Sequence, residues 1–158
     1  MAITKGVNTY ATLAEAYEYL KYRLDTTQWD SADELRRESA LVTATDIIDT
    51  RRWVGTLVSE SQSLAFPRIG EYYDPFSGYI VKLSTTIPTR IFEATCELAY
   101  HLLLNEDVSN DVGTVENVQI GSVTLSNVKN ADIMPSLVVQ KLRPLMANGG
   151  AYSWWRAN

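Results

Sequence analysis

Four segments of this chain repeat apolar residues at helical spacing, and each opens on its own start signal. That pairing constrains the fold more than any single motif, because it sets both the number of helices and the places where they begin. Thr12-Leu13-Ala14-Glu15 has the capping-box pattern, in which a hydroxyl and a carboxylate satisfy the first free backbone N–H groups. It predicts a helix over 12–25 with Leu13, Ala16, Tyr17, Leu20 and Leu24 on the buried stripe. Ser31-Ala32-Asp33-Glu34 repeats the pattern and predicts a helix over 32–53, with Ala40, Leu41, Ala44, Ile47 and Ile48 inward and Gly55 as a stop. Pro88 suits the first turn of a third helix over 88–105, with Ile91, Ala94, Thr95, Leu98 and Leu102 on its apolar face. Pro135 opens a fourth over 135–146, carrying Val138, Leu142 and Leu145, and Pro144 makes its last turn irregular. The expectation is a mainly α fold, a small bundle of about four helices.

The segments between the helices carry the rest of the expectation. Residues 54–87 have no sustained period, although Tyr79–Leu83 suits a short strand. A connection this long inside a compact domain usually binds something or joins subunits. Phe66, Tyr72, Tyr73, Phe76 and Tyr79 argue that it packs, against its own helices and against a neighbouring subunit. Phe66-Pro67-Arg68 reads as an anchored turn, and Trp29 and Trp53 are expected in the core. Residues 115–127 alternate around Gly121, which predicts a β-hairpin inserted in the bundle. Its tip, with Gln119, Gly121, Ser122 and Thr124, is expected to project as a contact surface. Asn148-Gly149-Gly150 then breaks the chain, dividing a domain over 1–147 from an extended C-terminal arm over 148–158. The arm holds Tyr152, Trp154, Trp155 and Arg156. Each indole left in water exposes roughly 150–250 Å², so the arm either folds back on its own domain or docks on another chain.

A chain of 158 residues is one domain, long enough to build a core without a metal or a disulfide. Its single cysteine, Cys96, permits no intramolecular disulfide. The first residues lack a signal-peptide pattern, and no apolar run approaches the roughly 20 residues of a bilayer span, so no membrane partner is expected. There is no glycine-rich phosphate loop. His101 and Cys96 offer no zinc spacing, and five positions apart on one helix they point in different directions, which opposes a nucleophile pair. The carboxylate pairs Asp46 with Asp49 and Glu93 with Glu97 read as solvated helix surface. Asp33 with Arg36 and Arg37, and Asp49 with Arg52, are spaced to pair along a helix. No enzyme, metal or cofactor is expected. The pairs Arg36-Arg37 and Arg51-Arg52, with Tyr10, Tyr17, Tyr19 and Tyr22, have the chemistry of a single-strand binding surface, cations beside stacking rings. The alternative puts Tyr17 in the core and the arginines on helix exteriors, and a net charge of −5 works against phosphate attraction.

One ordered set of residues runs through nearly the whole chain: Thr9–Ala16, Trp29, Ala40–Asp49, Trp53-Val54-Gly55, Gln62–Arg68, Ile87-Pro88, Ala94–Ala99, Val118–Val123 and Leu142–Leu145. It resembles the tailed-bacteriophage head–tail connector, or head-completion adaptor, family, whose relatives often carry the label DnaT-like single-stranded DNA-binding protein. The resemblance implies a structural neck protein, made in the host bacterial cytoplasm and placed in the virion at the head–tail interface. Its subunits would form a homo-oligomeric ring, commonly a dodecamer, that binds the portal protein after genome packaging and meets the next neck or tail component. DNA would pass through the channel without sequence-specific contact, and an acidic lumen would let it slide. The same resemblance places Tyr152, Trp154, Trp155 and Arg156 at the portal, and the small, polar hairpin tip is expected to face the next neck component or the channel. Single-stranded DNA binding of the DnaT-like type is the alternative.

Overall fold

Helix α4 (Thr89–Leu104) is walled in on nearly every side, and the other helices are arranged around it. The computed structural model describes residues 2–105, 118–120, 123–125 and 134–147. Within them α1 (Leu13–Leu20), α2 (Thr27–Ser31), α3 (Glu34–Asp49) and α5 (Ser136–Leu142) all pack against α4. Ile91, Ala94, Thr95, Leu98 and Leu102 of α4 are buried as their spacing predicts. Cys96, Glu97, Ala99, Tyr100 and Leu103 are buried too, so the helix has no true solvent face.

Local start signals hold up well, with one shift. The Thr12 hydroxyl accepts from the Glu15 N–H and the Glu15 carboxylate accepts from the Thr12 N–H, closing the capping box. Thr12→Ala should therefore cost about 1 kcal/mol in urea unfolding, and an unchanged midpoint would remove the cap from the account. The second helix begins later than its pattern suggests. Asp33, not Ser31, caps α3, by accepting from the Arg36 N–H at 2.7 Å. Ser31 instead closes α2, a short helix that the spacing does not signal. Arg37 explains the break: its guanidinium reaches the carbonyls of Trp29 and Asp30, each at 2.8 Å, and so takes up carbonyls that a helix end leaves free. Arg37 is thereby engaged with backbone and not with Asp33. α1 stops at Leu20, five residues short of the predicted end, so Leu24 lies outside it and is fully exposed. Tyr17 is half exposed, not core. α5 is followed by a 3-10 turn, Arg143–Leu145, which accommodates Pro144 as expected.

The expectation of a mainly helical bundle does not survive the segment between α3 and α4. Residues expected to be largely aperiodic form a three-stranded antiparallel sheet, in the order β1 (Thr56–Leu57), β2 (Arg68–Asp74), β3 (Tyr79–Leu83), so the fold is mixed α and β. Only Tyr79–Leu83 had a strand signature. β2 is masked in sequence by Gly70 and by aromatic residues on both of its faces, which erase the alternation. Its register with β3 pairs Tyr72 with Val81, Tyr73 with Ile80 and Glu71 with Lys82. The connecting turn is built by Asp74, whose carboxylate accepts from the N–H groups of Phe76 and Ser77, and by Gly78 at φ +74°. Arg90 of α4 pairs with the same carboxylate and ties the hairpin to the helices. A second hairpin, β4 (Val118–Ile120) with β5 (Val123–Leu125), pairs Gln119 with Thr124 inside the predicted 115–127 span.

Candidate nucleic-acid interface

Several residues singled out in the sequence turn out to be structural. Cys96 is buried, and burial together with the nearby Glu97 pushes its thiol far up, away from any thiolate. His101 shares a contact with Asn105 at the end of α4 and has no link to Cys96. Glu97, expected on a solvated face, is buried and is held by the Tyr19 hydroxyl and the Arg23 guanidinium. Glu93 pairs with Lys141 across to α5. Among the described residues no cluster of three or more His, Cys, Asp or Glu is placed to hold a metal ion. No helix among them is long and apolar enough to cross a membrane.

The cations and tyrosines of the sequence do not gather into one surface. Arg36 and Arg37 sit at the start of α3, while Arg51 and Arg52 follow its end, roughly 22 Å away along the axis. Tyr10 is fully buried, Tyr19 is engaged with Glu97, and only Tyr17 and Tyr22 are well exposed. Tyr22 lies against the Lys21 ammonium, 4.9 Å from the ring centre. The Arg36-Arg37 end therefore shares no surface with the Arg51-Arg52 end.

Arg51 and Arg52 instead meet a residue that neither spacing nor motif connects to them. Together with Arg68 they line an open cleft of about 750 Å³, whose walls include Trp53, Leu57 and Asp49. Arg68 is held by three backbone carbonyls, from Nε to Val54 at 2.8 Å, from Nη2 to Gly55 at 2.6 Å and from Nη1 to Ala65 at 3.3 Å. Those bonds orient the guanidinium without neutralising it, since a carbonyl carries no net charge. Arg52 is exposed, and among the described residues the ion pairs involve neither Arg52 nor Arg68. The approach depends on glycine. A Cβ on Gly55, at φ +75°, would stand 2.3 Å from the Ile69 carbonyl oxygen, so only glycine lets β2 run this close.

Asp49 is the acid among these walls, and its carboxylate is already occupied. It accepts from the Tyr10 hydroxyl and from the Ala65 N–H at 3.0 Å, and is not drawn to Arg52 as the helical spacing suggested. Burial, more than those two donors can offset, lifts Asp49 above the ordinary carboxylate range. The Tyr10 oxygen in turn accepts from the Phe66 N–H at 3.1 Å. The Phe66 ring lies edge-on between Tyr10, at 6.2 Å, and Trp53, at 5.1 Å. Trp53 is buried as predicted, and its Nε1 has no acceptor among the described residues. One wall of the cleft is thus bolted to the core at Phe66, beside an exposed Arg52 and a half-buried Arg68.

The chain leaves the described region at this same place. Ala147 lines the cleft, its N–H donates to the Arg52 carbonyl at 2.9 Å, and Met146 bridges Trp53. Tyr152, Trp154, Trp155 and Arg156 lie outside the described residues, as do Gly121 and Ser122 of the hairpin tip. A second exposed surface is the β2–β3 hairpin, where Phe76 is 92% and Tyr79 is 74% exposed beside Tyr73 and Ile80.

A family model described as "Putative DnaT-like ssDNA binding protein" matches residues 2–157. No curated protein and no solved structure matches the chain. The match carries the single-stranded DNA label attached to the resemblance seen in the sequence; it contains nothing of a portal, a ring or a phage neck.

Proposed function

From the premise that this chain belongs to the DnaT-like ssDNA-binding protein family, we propose that it is a binding protein and not an enzyme, and that it holds single-stranded DNA at the cleft of Arg52 and Arg68. The observation that carries the reading is the imbalance of charge in that cleft. The Arg52 and Arg68 guanidinium groups line it outside the ion pairs of the described residues, while the one acid in its walls, Asp49, is hydrogen-bonded to Tyr10 and Ala65. Guanidinium forks suit phosphate oxygens, and the local field draws a polyanion in spite of the net acidity of the whole chain. The exposed Leu57 and the edge of the aromatic wall offer apolar contact for a base.

Fluorescence anisotropy with a labelled single-stranded oligonucleotide tests this. Two phosphate contacts predict a loss of roughly sevenfold in affinity between 50 and 200 mM salt. Arg52→Glu should weaken binding by about tenfold or more and flatten the salt slope, whereas Arg36→Glu, at the far end of α3, should change little. No binding at low salt, or equal effects from the two variants, would reject the cleft.

A ring-forming adaptor of the phage neck, bound to a portal, is the second reading. The exposed apolar hairpin favours it, since Tyr73, Phe76, Tyr79 and Ile80 present the kind of surface that oligomers cover. Light scattering separates the two: a defined multimer that Phe76→Ser dissolves supports the ring, and a monomer that binds oligonucleotide supports the first reading.

A further inference from the structure

The sheet of β1, β2 and β3 buries one face and leaves the other open. Successive residues of a strand point to opposite faces. Tyr72 and Leu83 turn inward against the core, while Ile69, Glu71, Tyr73, Ile80 and Lys82 point the other way. The solvated face of an antiparallel sheet ordinarily carries polar residues. On this one Ile69, Tyr73 and Ile80 are each more than half exposed. Glu71 and Lys82 stand opposite each other among them, and neither enters an ion pair among the described residues. The chain as a whole carries a net charge of −5, which sets copies against each other. This face, with one acid and one base, is neutral.

We propose that this face packs on the same face of a second copy, about a two-fold axis that runs along the strands midway between β2 and β3. The register selects that axis. It lays β2 of each copy over β3 of the other, so that Glu71 meets Lys82 and Tyr73 meets Ile80 across the interface, each contact made twice. A two-fold axis across the strands would set Glu71 on Glu71. Stacked sheets lie about 10 Å apart, a gap that glutamate and lysine stems bridge from opposite sides. The outward side chains of the three strands hide roughly 600 Å² per copy and about 1,200 Å² in all, the lower limit of a specific interface. The pair is therefore a weak one. It closes at two copies, whereas a ring needs two different patches meeting head to tail, so it rests on neither functional reading. Leu57 and Arg68 pair on the opposite face of the sheet, which leaves the arginine cleft of each copy open.

Sedimentation equilibrium of the full chain, from about 1 µM to about 1 mM, tests this. The expected result is a monomer–dimer equilibrium with a dissociation constant on the order of 10 µM. Glu71→Lys and Lys82→Glu each set like charges face to face at both symmetric contacts, and each should weaken pairing at least about 100-fold. An equimolar mixture of the two variants should pair again, within a few-fold of the wild type, because each copy then meets the charge it lacks. The mixture keeps the like charges that each variant holds within its own hairpin, so its recovery cannot come from repaired folding. The variant carrying both substitutions should pair with itself. A wild type that stays monomeric throughout, an assembly that grows beyond two copies, or a mixture no better paired than its components overturns the proposal.

Discussion

Trp53→Ala should unfold this protein about 3–5 kcal/mol more easily than the wild type. Trp53 is 7% exposed, stacks edge-on against Phe66 and sits where Met146 bridges back to the end of α3. Truncation leaves a cavity at the point where the helices, the loop over 58–67 and the C-terminal turn meet. A domain of ordinary stability has only about 5–15 kcal/mol in total, and the expected drop in melting temperature is on the order of 10 °C. Trp53→Phe should cost much less, because its Nε1 has no hydrogen bond to lose among the described residues. Thermal melts of the two variants check this, and a wild-type-like melt of Trp53→Ala would show that the core does not rest on this ring. The same truncation removes the floor of the arginine cleft, so any folded fraction should also bind oligonucleotide weakly.

Asp49→Ala should have the second largest effect, about 2–4 kcal/mol, since a carboxylate acceptor is removed from two donors at once. Tyr10 and Ala65 would be left facing an apolar side chain, and the wall that carries Arg68 would lose its bolt. Tyr10→Phe removes the hydroxyl that joins Asp49 to the Phe66 N–H. Because the two residues share one network, the double variant should fall short of the sum of the singles by about 1–3 kcal/mol. Additive losses would mean that the contact is incidental. The pH dependence follows from direction. Asp49 sits above its ordinary value of 3.8 because of burial, so its share of stability is whole below that value and declines as pH rises through the raised one. Glu15 and Asp74 behave oppositely. Burial pushes each up, but Lys5 and Thr12 hold Glu15 down, and Ser77 and Arg90 hold Asp74 down. Their contributions are whole above the ordinary carboxylate values and are lost as pH falls through the lowered ones. Acid titration by circular dichroism should therefore show a shallower acid limb for Glu15→Gln, and no relief of acid unfolding from Asp49→Asn.

What the sequence determined alone is what neighbours along the chain decide. The Thr12–Glu15 cap, the apolar faces of α3 and α4 and the proline that opens α5 all follow from residues within one or two turns of each other. What failed there failed for want of distant partners. Glu97 looks like helix surface until Tyr19 and Arg23, more than seventy positions earlier, close over it. The strand β2 has no readable alternation, and exists because β1, β3 and the Asp74–Arg90 pair hold it. The candidate site is of the second kind throughout. Arg51-Arg52 and Phe66-Pro67-Arg68 are both visible as motifs, yet nothing local says that they meet. They meet because Phe66 is worth more in the core, between Tyr10 and Trp53, than in water, and its insertion carries Arg68 to the end of α3. Local signals set where helices begin; the burial of Phe66, the β1–β2 pairing and the carbonyls that hold Arg68 set where the charges converge.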